Sequence, residues 1–336
     1  MAIENIWTPE RPFQALALTG GGYRGLYTAR ALQVMEAQAG MPIGRCFDLV
    51  CGTSIGGIVG LAVAFEVPMQ KVVDVFVEYG ESIFPPHAPP KSAAAKLLDL
   101  CTHLKKPRYR TKPLREVITK LIPADATLAD AIHPITIPAV NVTEGKPQIF
   151  KTRHIAEWSR DWKLKVVDVA LATSAAPTFF ELAEINNNLY ADGGLFANAP
   201  DLVALHEAEH FLHVSKNAFR LLSIGTTTQK YSLSFSAGRN FGILDWMTNQ
   251  RLFSVMISAQ QQFVDQLAAH RLAENYVRID YLPSDEQSKD LGLDVASASA
   301  QKTLLGLAEK SVTDILGTKL VPYLAHSPQL KIFRGT

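Results

Sequence analysis

Residues 47–65 read FDLVCGTSIGGIVGLAVAF and decide the fold. The first five residues, FDLVC, are apolar except for one aspartate and predict a buried strand. The run from Ile55 to Phe65 is apolar throughout and predicts a buried helix. Residues 52–56, GTSIG, join the two, so the chain turns sharply from strand to helix. A unit of this kind is typical of a sheet covered by helices.

A second unit of the same kind lies upstream. Residues 14–19, QALALT, predict a strand, and the glycine-rich turn GGGYRG follows at residues 20–25. From residue 26 to residue 39 the apolar side chains have roughly helical spacing. Two strand–turn–helix units within the first 65 residues predict an α/β fold with a mainly parallel central sheet.

The rest of the chain predicts one elaborated domain over residues 1–336. Further strands are expected at 135–142, 148–152, 189–191 and 219–224, and helices at 72–79, 166–174 and 200–210. Residues 83–114 are rich in proline and cations and predict a surface excursion from the core. Beyond residue 240 the pattern changes to long helices, at about 243–273 and 297–319, with a strand at 276–281 between them. We therefore expect a catalytic core at about 13–228 and a helical C-terminal region at about 240–336.

Composition excludes several classes of protein. With 336 residues, 47% hydrophobic and 19% charged, the chain is too apolar to be disordered. A net charge of +1 argues against a partner that is a DNA or RNA polymer. The longest apolar run, Ile55 to Phe65, is too short to span a membrane, and the first residues lack a secretory signal, so a cytoplasmic location is expected. No cysteine or acidic spacing suggests a metal site, and no cofactor is expected.

Ser54 is the candidate nucleophile because GTSIG matches the pattern GxSxG. A tight turn between strand and helix forces this serine into a strained backbone conformation, while Gly52 and Gly56 remove Cβ atoms that would clash. The hydroxyl then projects beside the helix N-terminus, where partial positive charge favours an anion. The alternative is a turn of small residues that merely packs a helix on a sheet.

The loop Gly20, Gly21, Gly22 is the candidate oxyanion hole, with Gly21 and Gly22 as the preferred donors. Successive backbone N–H groups there could stabilise the negative oxygen formed in acyl transfer. Arg24 and Gly25 follow, and Arg24 either holds the loop or meets a phosphate. Two alternatives remain, a tight structural turn and a dinucleotide-binding fingerprint. The fingerprint wants an acidic residue at the end of the second strand, and none stands there.

Asp192 is the candidate general base. It ends a predicted strand in the sequence ADGG, where Gly193 and Gly194 leave the carboxylate accessible. An aspartate has an ordinary pKa of about 3.9 and is a weak base at neutral pH unless desolvation raises that pKa. Partial burial beside Ser54 would do so. The alternative is an ordinary Asp-Gly turn.

Five motifs in register resemble the patatin-like phospholipases and acyl hydrolases. They are GGGYRG, GTSIG, ADGG, ATSAAP at residues 172–177 and SIGT at residues 223–226. The resemblance implies a three-layer α/β/α fold, a Ser54–Asp192 dyad without histidine, an oxyanion loop at Gly20 to Gly22, and phospholipid as substrate. Two positions depart from the family pattern. Thr19 stands where plant members have aspartate, and Thr227 stands where glycine is usual.

An α/β-hydrolase with a Ser-Asp-His triad is the nearest competing interpretation, because it shares GxSxG. His206, His210 and His213 follow Asp192 in the required chain order. However, all three fall on a predicted helix or at its end, and only about fifty residues precede Ser54. We therefore favour the dyad.

The whole chain also resembles a narrower group, the bacterial patatin-like effectors of cyclic-oligonucleotide anti-phage signalling. That resemblance implies activation by a cyclic dinucleotide such as cGAMP, a homodimer or ligand-induced homo-oligomer, and action at the inner membrane surface. Cations in residues 100–115, or Arg239, Arg251 and Arg271, could contact the ligand's phosphates. An unregulated esterase or lipase remains the alternative.

Residues 83–114 could help the protein to reach lipid. They supply the aromatic residues Phe84 and Tyr109 and a cationic stretch, and residues 96–104 could form a short amphipathic helix. The segment is therefore a candidate lid or membrane-docking surface, with a plain mobile loop as the alternative.

Overall fold

One mixed sheet of eight strands forms the centre of the molecule. The structure is a computed structural model that describes residues 6–85, 106–227, 230–247 and 251–333. The strands run in the spatial order β5-β6-β3-β2-β1-β7-β8, and β4 pairs with β3 outside this path. Their bounds are β1 Phe13–Leu18, β2 Leu49–Gly52, β3 Ile135–Asn141, β4 Lys146–Lys151, β5 Ala183–Ile185, β6 Asn188–Asp192, β7 Phe219–Ile224 and β8 Tyr276–Ile279.

Strand pairing confirms the mainly parallel sheet. Strand β1 is parallel to both β2 and β7, β2 is parallel to β3, and β7 is parallel to β8. Strands β4 and β6 run antiparallel to β3, and β5 is antiparallel to β6. The carboxyl ends of five parallel strands therefore meet at one edge of the sheet, where ligands commonly bind in open α/β sheets.

Helices follow most strands. The long ones are α1 Gly25–Ala39, α2 Ile55–Ala64, α3 Met69–Ile83, α4 Thr111–Leu121, α5 Val166–Thr173, α9 Arg251–Leu272 and α11 Ala298–Leu316. The short ones are α6 Gly194–Ala197, α7 Asp201–His206, α8 Ile243–Met247, α10 Asp285–Asp290 and α12 Val321–Leu324. Helix α7 continues into a π-helical turn at Glu207–Phe211. In the part of the chain that the structure describes, none of these helices combines the length and apolar content that a bilayer span requires.

The sheet separates two hydrophobic clusters, which confirms the three-layer α/β/α architecture. Along β1, Leu16 and Leu18 belong to the larger cluster, whereas Ala15 and Ala17 belong to the smaller one. This alternation follows from the two-residue period of a strand. Helices α1, α2, α3, α4, α5 and α11 contribute to the larger cluster, and α7 and the end of α9 contribute to the smaller one.

Three elements differ from the sequence prediction. The strand predicted at 276–281 is β8, which pairs with β7, so the sheet extends beyond the expected catalytic core at about 13–228 into the C-terminal region. The short strand β5 was not predicted, although Asn186 and Asn187, both with positive φ, form the kind of turn that joins two hairpin strands. Helix α4 was also missed, although its buried residues Leu114, Val117, Ile118 and Leu121 have helical spacing.

The two ends of the predicted surface excursion are anchored in the core. Phe84 and Tyr109 are both buried and pack edge to face, with ring centroids 5.3 Å apart. The Tyr109 hydroxyl donates to Asp294 at 2.8 Å. Both side chains belong to the hydrophobic core, so they are not available for membrane docking. Residues 86–105, including the predicted amphipathic helix at 96–104, lie outside the described residues.

Candidate active site

Ser54 lies between β2 and α2 in a strained conformation. Its φ of 55° and ψ of −128° are rare for a residue with a side chain. The Ser54 N–H donates to the Thr173 hydroxyl at 2.9 Å, and that hydroxyl donates to the Pro138 carbonyl at 2.6 Å. These bonds tie the strained turn to β3, and the Ser54 side chain remains partly exposed.

The two glycines of the GTSIG turn are needed because backbone approaches them closely. A Cβ on Gly56 would collide with the Leu18 carbonyl oxygen, and a Cβ on Gly52 would collide with the Gly56 carbonyl oxygen. No rotation of a side chain could relieve either collision, since both partners are backbone. The turn can therefore form only with glycine at these two positions.

Asp192 meets Ser54 across the sheet. Strands β2 and β3 are parallel, and Cys51 lies opposite Thr136. Three residues further along both chains, Ser54 is therefore level with Ala139. In the antiparallel pair, Ala139 lies opposite Asp192. The Ser54 hydroxyl donates to Asp192 Oδ2 at 2.7 Å. The structure thus joins two predicted site residues that are 138 positions apart in the sequence.

The Asp192 carboxylate is buried, and its environment changes its basicity. Burial raises the pKa of Asp192 to about 6, although hydrogen bonds from the Gly194 N–H and the Ser54 hydroxyl favour the charged form. The Gly194 N–H donates to Asp192 Oδ1 at 2.7 Å. At neutral pH the group is therefore mostly ionised, yet basic enough to accept a proton.

The glycine loop lies against Ser54, but Gly20 does not supply a free donor. A Cβ on Gly20 would lie 3.1 Å from the Ser54 Cβ, which places the loop beside the hydroxyl. The Gly20 N–H donates to the Asn198 carbonyl at 2.9 Å. The Gly20 carbonyl accepts hydrogen bonds from Asn198 Nδ2 and the Thr226 hydroxyl, both at 3.2 Å. Gly20 is therefore part of the loop beside Ser54, but its N–H is already engaged and leaves the donor role to Gly21 and Gly22.

Gly21 and Gly22 keep their N–H groups available. Among the described residues, no acceptor takes a hydrogen bond from either group. Gly22 has a φ of +57°, and a Cβ there would collide with the Leu293 carbonyl, so the position requires glycine. Arg24 is buried and donates to the carbonyls of Gly21 at 3.5 Å and Thr227 at 3.3 Å. It therefore holds the loop rather than meeting a phosphate.

Gly25 and Gly193 also lie at close contacts. A Cβ on Gly25 would collide with the Ile55 side chain, so this glycine lets α1 approach the start of α2. A Cβ on Gly193 would collide with the Pro138 carbonyl, so this glycine lets the segment after Asp192 cross β3. Both glycines are therefore structural supports of the site.

The histidines of the competing triad lie elsewhere. Among the described residues, Asp192 accepts hydrogen bonds from Ser54 and Gly194 only. His206 and His210 are exposed and stack on each other, with ring centroids 4.9 Å apart. No group of three or more potential metal ligands occurs within the ranges that the structure describes. The geometry therefore supports a dyad.

Three residues that hold the site were not singled out from the sequence. Thr173 lies in ATSAAP, Asn198 follows ADGG, and Thr226 ends SIGT. The motif patterns by themselves assigned none of these three residues a role. Their positions next to quoted motifs were the available signal. A fourth residue, Gln260, accepts a hydrogen bond from the Asn198 N–H at 2.7 Å, and nothing in the sequence marked it.

The two departures from the family pattern each have a structural counterpart. Thr19 accepts a hydrogen bond from Arg278 Nη1 at 3.0 Å, and Arg278 also pairs with Asp280 at 3.0 Å. Thr227 has a φ of 58°, a conformation that favours glycine. The usual glycine therefore avoids a strain that this chain carries.

Comparison with known proteins supplies the family. The family model described as "Patatin-like phospholipase" matches residues 16–205, which include every motif of the site except SIGT. The chain belongs to the patatin-like phospholipase family. Membership confirms the resemblance noted from the motifs and makes the chain a lipid acyl hydrolase. The two alternatives are therefore wrong, both the interpretation of GGGYRG as the fingerprint of a dinucleotide-binding fold and the α/β-hydrolase with a Ser-Asp-His triad.

Curated relatives within the family match nearly the whole chain. A protein of Pseudomonas aeruginosa named "cGAMP-activated phospholipase" is 40% identical over 96% of this chain and 94% of its own length. Proteins of the same name from Vibrio cholerae and Escherichia coli are 34% and 36% identical, over 89% and 87% of this chain and 90% and 86% of their own lengths. The similarity thus extends well beyond residue 205, into the C-terminal region.

Proposed function

We propose that this patatin-like phospholipase hydrolyses acyl esters of membrane phospholipids with Ser54 as nucleophile and Asp192 as general base. The 2.7 Å hydrogen bond from the Ser54 hydroxyl to the buried Asp192 carboxylate carries the proposal. A serine hydroxyl is a poor nucleophile until a base accepts its proton. Asp192 is the group within reach, and burial has raised its pKa toward neutrality.

The reaction proceeds in two acyl transfers. Ser54 Oγ attacks the ester carbonyl carbon while its proton passes to Asp192 Oδ2, and the carbonyl oxygen becomes negative. The tetrahedral intermediate then expels the lysophospholipid alkoxide, which takes the proton from Asp192. Water attacks the acyl-serine in the second half, its proton goes to Asp192 and then to Ser54 Oγ, and the fatty acid leaves.

The oxyanion is stabilised by the N–H groups of Gly21 and Gly22. Both lie in the loop that packs against Ser54 and lack another acceptor among the described residues. Because the loop is already held by Asn198, Thr226 and Arg24, little reorganisation is needed when the charge develops. Preorganised donors of this kind contribute about 3 kcal/mol each to transition-state stabilisation.

Replacing Ser54 tests the nucleophile directly. Ser54→Ala should lower the hydrolysis of a fluorogenic acyl ester at least about a thousandfold, because no other group forms the acyl-enzyme. Ser82→Ala is the matched control, since the exposed Ser82 hydroxyl donates to the Tyr79 carbonyl within α3 and its loss should leave turnover unchanged. Equal turnover by wild type and Ser54→Ala would exclude Ser54 as the nucleophile.

We further propose that a cyclic dinucleotide, cGAMP, activates the hydrolase. The support is the name shared by three relatives that are 34–40% identical over most of the chain. Three of the cations that the sequence suggested for phosphate binding already have partners within the protein. Arg271 pairs with Glu209, Arg108 pairs with Asp294, and Arg251 donates to the Asp245 carbonyl.

Adding cGAMP should raise phospholipid hydrolysis at least about tenfold, in line with typical allosteric coupling. Cyclic di-GMP and cyclic di-AMP at the same concentration are the comparison ligands, and the readout is fatty acid released from vesicles. Equal hydrolysis with and without each ligand would contradict activation and favour an unregulated lipase, while leaving the Ser54 mechanism intact.

We also propose that the enzyme acts from the cytoplasm on the inner membrane surface during anti-phage defence, as a homodimer or a ligand-induced homo-oligomer. Activation by a signalling nucleotide explains how a phospholipase can be kept in a cell without destroying its membrane. Light scattering with and without cGAMP measures the assembly. A monomer under both conditions would contradict it.

A further inference from the structure

A stretch of the C-terminal region is apolar yet unburied. None of the residues from 230 to 257 whose exposure the structure describes is buried. Phe235 is fully exposed, Ile243 is 82% exposed and Leu252 is 53% exposed. Large apolar side chains are normally exposed singly, so several in one continuous stretch indicate an interaction surface.

The first turns of helix α9 show the same property. Residues 252–257, LFSVMI, are apolar around most of the helix, and burial begins only at Ser258. Further along α9, Ser258, Gln261, Val264 and Ala268 face the protein, whereas Phe263 and Leu267 remain exposed on the outer face. A helix that is apolar on its outer face normally packs against a further layer.

The stretch is tied to the catalytic loop at both ends. Upstream, the Thr226 hydroxyl donates to the Gly20 carbonyl at 3.2 Å, four residues before the stretch begins. Just after the stretch, the Ser258 hydroxyl accepts from the Tyr231 N–H at 3.0 Å, and Gln260, two residues further along α9, accepts from the Asn198 N–H at 2.7 Å. Both ends of the stretch therefore lie at the same edge of the sheet as Ser54.

The charge and side-chain types fit an anionic lipid surface. The described residues of the stretch carry three cations, Lys230, Arg239 and Arg251, and one anion, Asp245. The aromatic residues Tyr231, Phe241 and Trp246 lie among them, and the rings of Phe241 and Trp246 pack at a tilt with centroids 5.5 Å apart. Aromatic residues and arginine are typical of segments that lie at the boundary between headgroups and acyl chains.

We propose that Leu233, Phe235, Arg239, Ile243 and Leu252 form a docking face that seats this phospholipase on an anionic bilayer. The proposal rests on the proposed function, and it adds where the membrane binds. A bilayer on this face brings acyl esters toward Ser54, whereas a second copy seated there would cover that route.

Vesicle binding tests the docking face without turnover. The protein is the full chain with Ser54→Ala, so that vesicles stay intact, and the probes are vesicles of phosphatidylcholine alone or with 30% phosphatidylglycerol. We expect sedimentation with the anionic vesicles, weakened by salt. Phe235→Ser with Ile243→Ser should lower the partition coefficient at least about tenfold. Arg239→Gln should lower it about fivefold.

Phe333→Ser is the matched control. Phe333 is 48% exposed, and its N–H donates to the Arg153 carbonyl, near the amino end of β3 and thus at the opposite edge of the sheet. This variant should bind like the parent protein. As a second measurement, Phe235→Trp emission should shift to shorter wavelength when anionic vesicles are added, with or without cGAMP.

Three outcomes would overturn the proposal. The first is absence of binding to anionic vesicles with and without cGAMP. The second is equal vesicle binding by the Phe235→Ser/Ile243→Ser and Phe333→Ser proteins. The third is that the Phe235→Ser/Ile243→Ser protein loses a dimer seen by light scattering in the parent protein while its vesicle binding is unchanged. The last would show that a second copy covers the face. Failure of the proposed function has a different signature, because hydrolysis of a soluble ester by the protein with native Ser54 would then be absent while vesicle binding persists.

Discussion

At the scale of single residues, the site combines backbone strain with a buried charge. Ser54 holds a φ of 55°, and conformations of this kind cost about 1–3 kcal/mol. Asp192 is 4% exposed, and its raised pKa of about 6 means that the folded state disfavours its ionised form. Both features lower stability, but the strain presents the Ser54 hydroxyl at a partly exposed position and the burial makes Asp192 a stronger base.

The raised pKa of Asp192 predicts the pH dependence of the reaction. Because the base must be ionised to accept a proton, kcat/KM for a soluble ester should rise as pH increases through about 6 and level off above. The measurement is a pH–rate profile from about pH 3 to about pH 8.5, which covers both the raised and the ordinary aspartate pKa. A limb near pH 4 would mean that Asp192 is hydrated in the working enzyme and that burial does not set its basicity.

At the scale of elements, the glycine loop depends on the segment that follows α6. The Asn198 backbone carbonyl accepts a hydrogen bond from the Gly20 N–H, and Asn198 Nδ2 donates one to the Gly20 carbonyl. Asn198 therefore fixes both peptide groups of Gly20, which directly precedes Gly21 and Gly22. Gln260 of α9 in turn accepts from the Asn198 N–H. The oxyanion loop is therefore positioned by elements that come far later in the chain.

Asn198→Ala should lower kcat about 10- to 100-fold with KM changed less than about threefold, because a misplaced donor acts on the transition state rather than on ground-state binding. Steady-state kinetics on a soluble ester separates the two constants. Asn188→Ala is the control, since Asn188 Nδ2 donates to the Asn186 carbonyl in the hairpin turn. A change in KM alone would assign Asn198 to substrate binding instead.

At the scale of the whole molecule, the C-terminal region completes the fold that the first two thirds begin. Strand β8 pairs with β7, and helix α11 packs on α1. The Tyr23 N–H, next to the glycine loop, donates to the Leu293 carbonyl at 2.8 Å. These contacts support the interpretation of residues 1–336 as one domain.

A single domain predicts one cooperative unfolding transition for the full chain in calorimetry. Removing residues 240–336 should expose the apolar face of α1 and the edge of β7, so the truncated protein should aggregate or lack a transition. Circular dichroism of the truncated chain provides the check. A truncated protein that melts at the temperature of the full chain would show that the C-terminal region is a separate unit.

The sequence by itself determined the parts that short-range patterns encode. The two strand–turn–helix units, the serine in its glycine-flanked turn and the mainly parallel sheet all follow from apolar periodicity and turn residues within about twenty positions. Helix α4 and strand β5 had signals of the same kind, in helical spacing and an Asn-Asn turn, and could have been predicted. The family resemblance also rested on such local motifs.

Only the tertiary structure decided which groups meet and in what environment. The Gly20 N–H is engaged because Asn198, 178 residues away, packs against it, and Asp192 acquires its basicity because surrounding elements exclude water. Phe84 and Tyr109 are buried, whereas Phe235 and Ile243 are exposed, although all four are large apolar residues in irregular or short segments. Burial and hydrogen-bond partners depend on the packing of distant segments, which no local pattern encodes.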